Sequence, residues 1–219
     1  MSVDWPFVLA ILPKFVPAVT ITLQATLAGM LIALILGLLL ALARRSPYRM
    51  VSWPVAALIE FTRSTPLLVQ IYFLFYVAPS TGLQLSPLAT GIIALGLHYA
   101  AYCSEVYRAG IEQIPSGQWD AAAALNLSRY HTLWRIVIPQ AIPPVIPALG
   151  NYLIAMFKET PLLSTITVME MLYTAKLIGA ETFRYVEAIT LVGLFFLLLS
   201  LAASIAIRAL DGKLRHAWR

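Results

Sequence analysis

The sequence predicts an all-α integral membrane protein with five transmembrane helices, the N-terminus outside and the C-terminus cytoplasmic. Composition, charge-free runs and basic-residue asymmetry each point there. The 219 residues are 60% hydrophobic and only 11% charged, with mean hydropathy +0.83; a soluble domain carries about 25% charged residues. Phe15–Ala43, Ser64–Ser104, Ile136–Phe157 and Ala188–Ile207 hold no Asp, Glu, Lys or Arg, and a helix needs roughly 20 apolar residues to cross a bilayer. A soluble fold would have to bury all of these runs, and too few charged residues remain to coat it. Basic residues cluster at alternate span ends, as they do on cytoplasmic sides. Arg44, Arg45, Arg49, Arg108, Arg129, Arg135, Arg208, Lys213, Arg215 and Arg219 fall on one side, against Lys14, Lys176 and Arg184 on the other.

The elements follow in order as a single transmembrane domain over 1–219. Residues 5–19, "WPFVLAILPKFVPAV", have interfacial character, but their prolines predict a broken helix. Asp4 and Lys14 precede the first apolar run, which is too long for a signal h-region, so no cleavable signal is expected. The spans are expected at about 15–43, 53–78, 88–106, 141–167 and 187–207. "APSTGLQLSP" (78–87) is the turn between the second and third. Residues 107–140 form the large cytoplasmic loop, and 168–186 read as an interfacial helix over the outer ends. The net charge of +5 fits basic loops rather than nucleic-acid binding. Cys103 is the single cysteine, so no intrachain disulfide exists.

Two near-copies interrupt the apolar runs: "RSTPLL" (63–68) and "KETPLL" (158–163). Arg63 falls near the middle of the second span, where a cation costs at least about 2.5–3.5 kcal/mol. Pro66 cannot donate to the Thr62 carbonyl, nor Pro161 to that of Phe157. Broken backbone at that depth needs protein or a wet cavity to satisfy it. The short match suits two parallel repeats and equally suits local convergence. A polar translocation path is the functional reading. Arg63 would attract a carboxylate and Glu159 a cationic nitrogen. Ser64, Thr65 and Thr160 would supply hydrogen bonds, and Glu60 and Lys158 would also line the path. The structural alternative pairs Arg63 with Glu60 one turn away, and Lys158 with the surroundings of Glu159 or a lipid headgroup. Glu105 and Arg108 read as a structural ion pair. His98 and His131 have no companions at metal-ligand spacing, so no metal site is expected. No phosphate-binding loop of the G-x-x-x-x-G-K-[ST] kind occurs, and no catalytic residues emerge.

Within the loop, "GQWDAAAALNLSRYHTLWRIVIPQA" (117–141) carries the clearest pattern. Asp120–Leu125 is alanine-rich and helix-forming, with Asp120 expected in the first turn. Asn126 tolerates the left-handed conformation that ends a helix. Ser128 suits the N-cap of a second helix over 129–138, which Pro139 stops or hands on to the next span. Small Ala121 and Ala122 admit a close partner, and Trp119, Leu125 and Leu127 offer apolar anchors. Composition alone leaves a docking site and a passive loop equally open.

That loop resembles the EAA loop of ABC-importer permeases, E-A-A-x3-G-x9-I-x-L-P. Asp120, Ala121, Ala122, Asn126, Ile136, Ile138 and Pro139 occupy its positions at every spacing. Asp replaces Glu, Asn replaces Gly and Ile replaces Leu; charge and bend survive. "ITLQATLAGMLIALILGLLLALARRS", "FTRSTPLLVQIYFLFY", "YCSEVYRAGIEQIPSGQWDAAAALNLS" and "NYLIAMFKETPLLSTITVMEML" resemble polar-amino-acid permeases of the histidine, glutamine, arginine and opine type. "ALNLS" and "FKETPLLSTITV" are most similar to permeases for ectoine and hydroxyectoine. The resemblance implies a multi-pass protein of the bacterial inner membrane with no ATPase site of its own. It implies a coupling helix (Trp119, Asp120, Ala121, Ala122, Leu125, Asn126 and Ser128) that docks on a partner ATPase subunit holding ATP and Mg. It also implies a second permease subunit, alike or different, and an external solute-binding protein. The reading from another class is an ion-coupled secondary transporter of a small zwitterion, in which the alanine-rich loop would have no purpose.

Overall fold

Ala25, Gly29, Ala33, Gly37 and Ala41 recur every four residues and are all buried. This row of small side chains lets two helix axes approach, which is what holds helices together where lipid is as apolar as leucine. In the computed structural model, which describes residues 4–217 with side chains through Lys213, the row belongs to α1 (Trp5–Arg44). It packs along α4 (Pro87–Glu112). A Cβ on Gly37 would lie 2.7 Å from Cys103 Cβ and 3.0 Å from the Ala100 carbonyl oxygen. Contacts between α1 and α4 are the most extensive in the fold.

The other described elements are also helical. α2 (Arg49–Ser64) leans on α1 and α4. α3 (Leu67–Tyr72) continues through a π-turn at Phe73–Val77 and a 3-10 turn at Ala78–Thr81. After α4 comes α5 (Ser116–Ala124). α6 (Arg129–Thr132) runs through a π-turn at Leu133–Val137 into α7 (Ile138–Glu159). A 3-10 stretch, Thr160–Ile166, leads to α8 (Met171–Thr182) and then α9 (Tyr185–Ala217). α7 lies against α4, and α9 against α7.

Three helical segments are long and apolar enough to cross a membrane: Trp5–Arg44, Arg129–Ile166 and Tyr185–Lys213. The residues expected as the third span form the helix α4, which carries His98, Glu105, Arg108 and Glu112 and is not among these three. The expected second span, 53–78, is not one helix. It breaks at Thr65, whose backbone is extended ahead of Pro66, because a residue before proline is driven out of the α region.

Several boundaries move. The N-terminal stretch expected to be broken is part of α1, with Pro13 and Pro17 inside it. Packing explains this: Val8, Ile11, Phe15 and Ala18 bury against Met171, Ala175 and Ile178 of α8 and against α9. The loop expected over 107–140 shrinks to the connections around α5, since α4 runs to Glu112 and a helix resumes at Arg129. Pro139 does not stop that helix. The Ile138 amide bonds to the Leu133 carbonyl five residues back, and this wider turn absorbs the missing proline donor. The fourth span leaves α geometry at Thr160 and ends at Thr167, in the left-handed region at φ 63°. The fifth runs past residue 207 to Ala217. Of the residues counted toward the basic side, the side chains of Arg215 and Arg219 lie outside the described residues.

Helix α8 lies within 168–186, where a helix was expected, and packs against one end of α1 and α9. Arg184 bonds Asp4 at 2.7 Å and Lys14 approaches Glu181 at 3.9 Å, exposed pairs of small energetic weight. The firmer tie is Glu170, fully buried. Its carboxylate caps α8 by accepting from the amides of Leu172 at 2.9 Å and Tyr173 at 2.7 Å. Burial pushes its carboxyl up to about 6, against the opposing pull of those amides and Lys176.

Two predictions follow from this packing. Gly37→Ala should lower the stability of the detergent-solubilised protein by about 1–3 kcal/mol through overpacking. Gly117→Ala on α5, where an added Cβ meets nothing within 4 Å, should be neutral or slightly stabilising; paired thermal unfolding measures both. Glu170 holds its proton more tightly when folded. Its contribution is therefore present below about pH 4.5, its ordinary value, and is lost as pH rises through about 6. The loss is on the order of 1–2 kcal/mol. Glu170→Gln keeps an acceptor for the cap and should flatten the melting-temperature profile across that window.

Candidate functional site

The proline break in α2–α3 is closed by a side chain from the following turn. Gln70 Nε2 donates to the Thr62 carbonyl that Pro66 leaves free, at 2.8 Å, and to Thr65 Oγ1 at 2.7 Å. Gln70 Oε1 lies 3.1 Å from His98 Nδ1 on α4, so the broken backbone is pinned to the central helix. His98 is buried and hydrogen-bonded, as the absence of metal companions leads one to expect. At the second copy, the Phe157 carbonyl freed by Pro161 accepts from Thr160 Oγ1 at 2.7 Å. Protein groups therefore satisfy both freed carbonyls, as the low-dielectric setting demands.

These two anchored breaks bring Arg63 and Glu159 to one aromatic cluster. The Arg63 guanidinium stands 5.4 Å from the centroid of the Tyr102 ring, a cation–π distance. Glu159 Oε2 accepts from Tyr99 Oη at 2.8 Å. The rings of Tyr99, Tyr102 and Tyr152 lie 5.7–6.0 Å apart, centroid to centroid, in mutual tilted or edge contact. A cation, a carboxylate and three phenols thus share one face between α2, α4 and α7. Arg63 makes no ion pair with Glu60 among the described residues; Glu60 instead accepts from Ser64 Oγ at 3.3 Å. Both Glu60 and Ser64 are exposed.

The remaining expected path residues divide. Thr65 Oγ1 donates to the Phe61 carbonyl at 2.9 Å, and Thr160 is fully buried on its own backbone acceptor. Lys158 leaves α7 on a different side from Glu159 and lines a groove with α9. Gln70, Tyr99, Tyr102 and Tyr152 were not singled out from the sequence. Tyr99 and Tyr102, three apart on one helix face, carried a usable signal; Gln70 and Tyr152 gave none without the fold.

The segment around α5 keeps its expected bend. Asn126 has φ 58°, and Ser128 caps α6 by accepting from the His131 amide at 3.2 Å. Two details differ. Asp120 lies beyond the first turn of α5, which begins at Ser116. Trp119 packs inward beside Ile111, Val137 and Leu42, with Arg45 5.9 Å over its ring. Ala122 is buried, whereas Asp120, Ala121, Ala124 and Leu125 are exposed. Behind the segment, Arg44 of α1 bonds Glu105, which pairs with Arg108, which pairs with Glu112. The expected Glu105–Arg108 pair is thus the middle of a four-residue chain.

Comparison with known proteins places this architecture. Residues 29–216 match the family model described as the binding-protein-dependent transport system inner membrane component. A probable amino-acid ABC transporter permease of Sinorhizobium fredii is 45% identical over 208 residues, covering 95% of this chain and 90% of the relative. The L-cystine transport system permease of Bacillus subtilis is 36% identical, over 87% of this chain and 83% of that one. The crystal structure of an amino acid ABC transporter with histidines superposes with TM-score 0.89 at 30% identity, over 97% of this chain and 100% of that chain. Permeases of this kind are multi-pass inner-membrane proteins that work with ATPase subunits, a permease partner and a binding protein, and they have no ATPase site of their own. The chain belongs to the binding-protein-dependent inner-membrane permeases, as the permease subunit of an amino-acid ABC importer.

Proposed function

We propose that this permease carries a small zwitterion past the Tyr99–Tyr102–Tyr152 cluster, Arg63 drawing the carboxylate and Glu159 the cationic nitrogen. The observation that carries it is the placement of opposite charges on one aromatic face. Both charges are costly at membrane depth, and a zwitterion offers each its complement. The cystine named for the Bacillus relative and the histidines of the solved transporter are themselves amino acids. Ectoine or hydroxyectoine, cyclic zwitterions, fit the same charge pattern and are the substrates favoured by "ALNLS" and "FKETPLLSTITV". Thr65 and Thr160 satisfy backbone carbonyls at the breaks; Glu60 and Ser64 border the path from the exposed face of α2.

The chain crosses the membrane five times with α5 on the cytoplasmic side, an orientation supported by the basic residues around it. ATP and Mg are held by the partner ATPase subunit. Exposed Asp120, Ala121, Leu125 and Asn126 dock on that subunit, with Trp119, Ala122 and Ser128 fixing the segment from behind. ATPase closure then pushes α5, and α4 carries both the tyrosines and the ion-paired end behind it.

Reconstituted with the ATPase and binding protein, Arg63→Leu should lose at least about 90% of uptake, as expected for losing a charge-assisted contact worth roughly 1.5–3 kcal/mol, while the subunits still co-purify. Normal uptake would remove Arg63 from the path. Comparing ectoine, arginine and glutamine in the same vesicles and on the binding protein tests the substrate. Asp120→Lys or Leu125→Asp should leave the permease folded but break the link between ATP hydrolysis and uptake; unchanged substrate-stimulated hydrolysis in both would count against docking there.

A further inference from the structure

Two arginines adjoin at the end of α1, and they are used differently. Arg44 is held by Glu105. Arg45 makes no ion pair among the described residues, and its guanidinium stands 5.9 Å over the Trp119 ring. Arg45 lines a cavity of about 540 Å³ bounded by the end of α1, α5 and α6. Arg129 lines the same cavity and is likewise without an ion pair among the described residues. No Asp or Glu is on the wall. Two guanidinium groups on one cavity leave a positive field that an anion would neutralise. Ser46 and Tyr130 bring hydroxyls to the wall. Ser46 Oγ accepts from the Tyr48 amide at 3.3 Å and keeps its proton to donate. Much of the remaining wall is apolar, with Leu42, Trp119 and Leu133. The cavity lies at the end of the apolar segment Trp5–Arg44. Leu31, Ile35 and Leu39 are exposed along that segment, and at helical spacing they share a face with Leu42. Leu31 to Leu42 is about 16 Å at 1.5 Å per residue, close to one leaflet of a roughly 30 Å hydrocarbon core.

We propose that this cavity binds the headgroup of an anionic phospholipid from the cytoplasmic leaflet, its phosphate held between Arg45 and Arg129. This rests on the reading that α5 lies on the cytoplasmic side. Arginine's planar fork matches phosphate oxygens two at a time, and the hydroxyls of Ser46 and Tyr130 are placed to donate to those that remain. Free phosphate shares this chemistry at the arginines but has no use for the apolar wall. A phospholipid uses both. Its glycerol lies against Leu42, Trp119 and Leu133, and an acyl chain runs along Leu39, Ile35 and Leu31. With two cations and no carboxylate on the wall, a headgroup of net negative charge is favoured over a zwitterionic one, whose own cation would face the arginines. Basic pockets on the cytoplasmic side of a membrane protein collect anionic headgroups for this reason. None of these residues belongs to the tyrosine cluster, so the site is separate from the transport path. Because α1, α5 and α6 each supply part of the wall, a seated headgroup ties the end of α1 to the segment around α5.

The test uses the purified complex of permease, ATPase subunits and binding protein, titrated with phosphatidylglycerol, phosphatidylcholine or inorganic phosphate and read by native mass spectrometry. Phosphatidylglycerol should be retained at about tenfold lower concentration than phosphatidylcholine. Arg45→Gln and Arg129→Gln should each weaken its retention by about tenfold, and Arg45→Lys by less. Arg135→Gln, outside the cavity, should leave it unchanged. Without lipid these variants should unfold at the parent's temperature, since the replaced side chains are exposed. Undiminished retention by the Arg45→Gln, Arg129→Gln double variant would overturn the site, as would equal retention of phosphatidylcholine. Displacement of the lipid by millimolar inorganic phosphate would overturn the lipid as the source of the anion. No lipid retained would mean that the ATPase subunit fills the cavity, and would overturn the proposal. Arg129→Cys in a Cys103→Ser background, treated with a membrane-impermeant maleimide, reports the side. Labelling in inside-out vesicles alone is expected. Labelling from the outside would overturn the cytoplasmic placement of α5, and with it the leaflet, whereas lost retention together with inside labelling would overturn the site alone.

Discussion

The close seam between α1 and α4 is the contact on which the other placements depend. Leucine-on-leucine packing gains little in lipid, because the tails offer the same surface. Ala25, Gly29, Ala33, Gly37 and Ala41 avoid that equality by letting backbone meet backbone. Once α4 is fixed at the centre, it presents different residues to each neighbour. Tyr99 and Tyr102 turn to α2 and α7, and Gly110 sits against Val145 of α7. Near one end, Glu105 takes Arg44 from α1 and Arg108 from its own helix. α4 carries the tyrosines of the candidate path and the ion-paired end, and through Ile111 it shares a small core with Trp119 of α5.

A second constraint is the cost of broken backbone in a dry setting. Each proline frees a carbonyl, and each freed carbonyl finds a specific donor. The two repairs differ. Gln70 closes the first from the next helix and reaches His98, tying the break to the central helix. Thr160 closes the second locally. Despite nearly identical sequences, the two breaks therefore orient their charges differently. Arg63 and Glu159 converge on the tyrosines, while Lys158 points into another groove. The copies are alike in backbone chemistry and unlike in what their charges face.

Much of this was legible in the residues. Hydropathy marked the apolar helices, the bend at Asn126 and the cap at Ser128 followed from local chemistry, and the freed carbonyls followed from proline. What failed were inferences in which a local rule met a tertiary one. Pro13 and Pro17 did not break α1, because α8 and α9 cover that stretch. Trp119 looked like an anchor offered outward, yet it packs inward with Ile111 and Val137. The four-residue spacing of small side chains in α1 was visible all along and had a physical meaning.

The sequence by itself determined that the chain lives in a membrane, where its helices break and which segment between helices is ordered. Those outcomes are set by transfer free energy and by backbone dihedrals, which depend on near neighbours in the chain. Tertiary structure decided which charges meet. Glu159 reaches Tyr99 across 60 residues, and Arg63 reaches Tyr102 across 39. Adjacent Lys158 and Glu159 separate because successive helical residues are turned by about 100°. Which of the two faced the aromatic cluster depended on how α7 was rotated against α4, and that rotation is set by packing between helices distant in the chain.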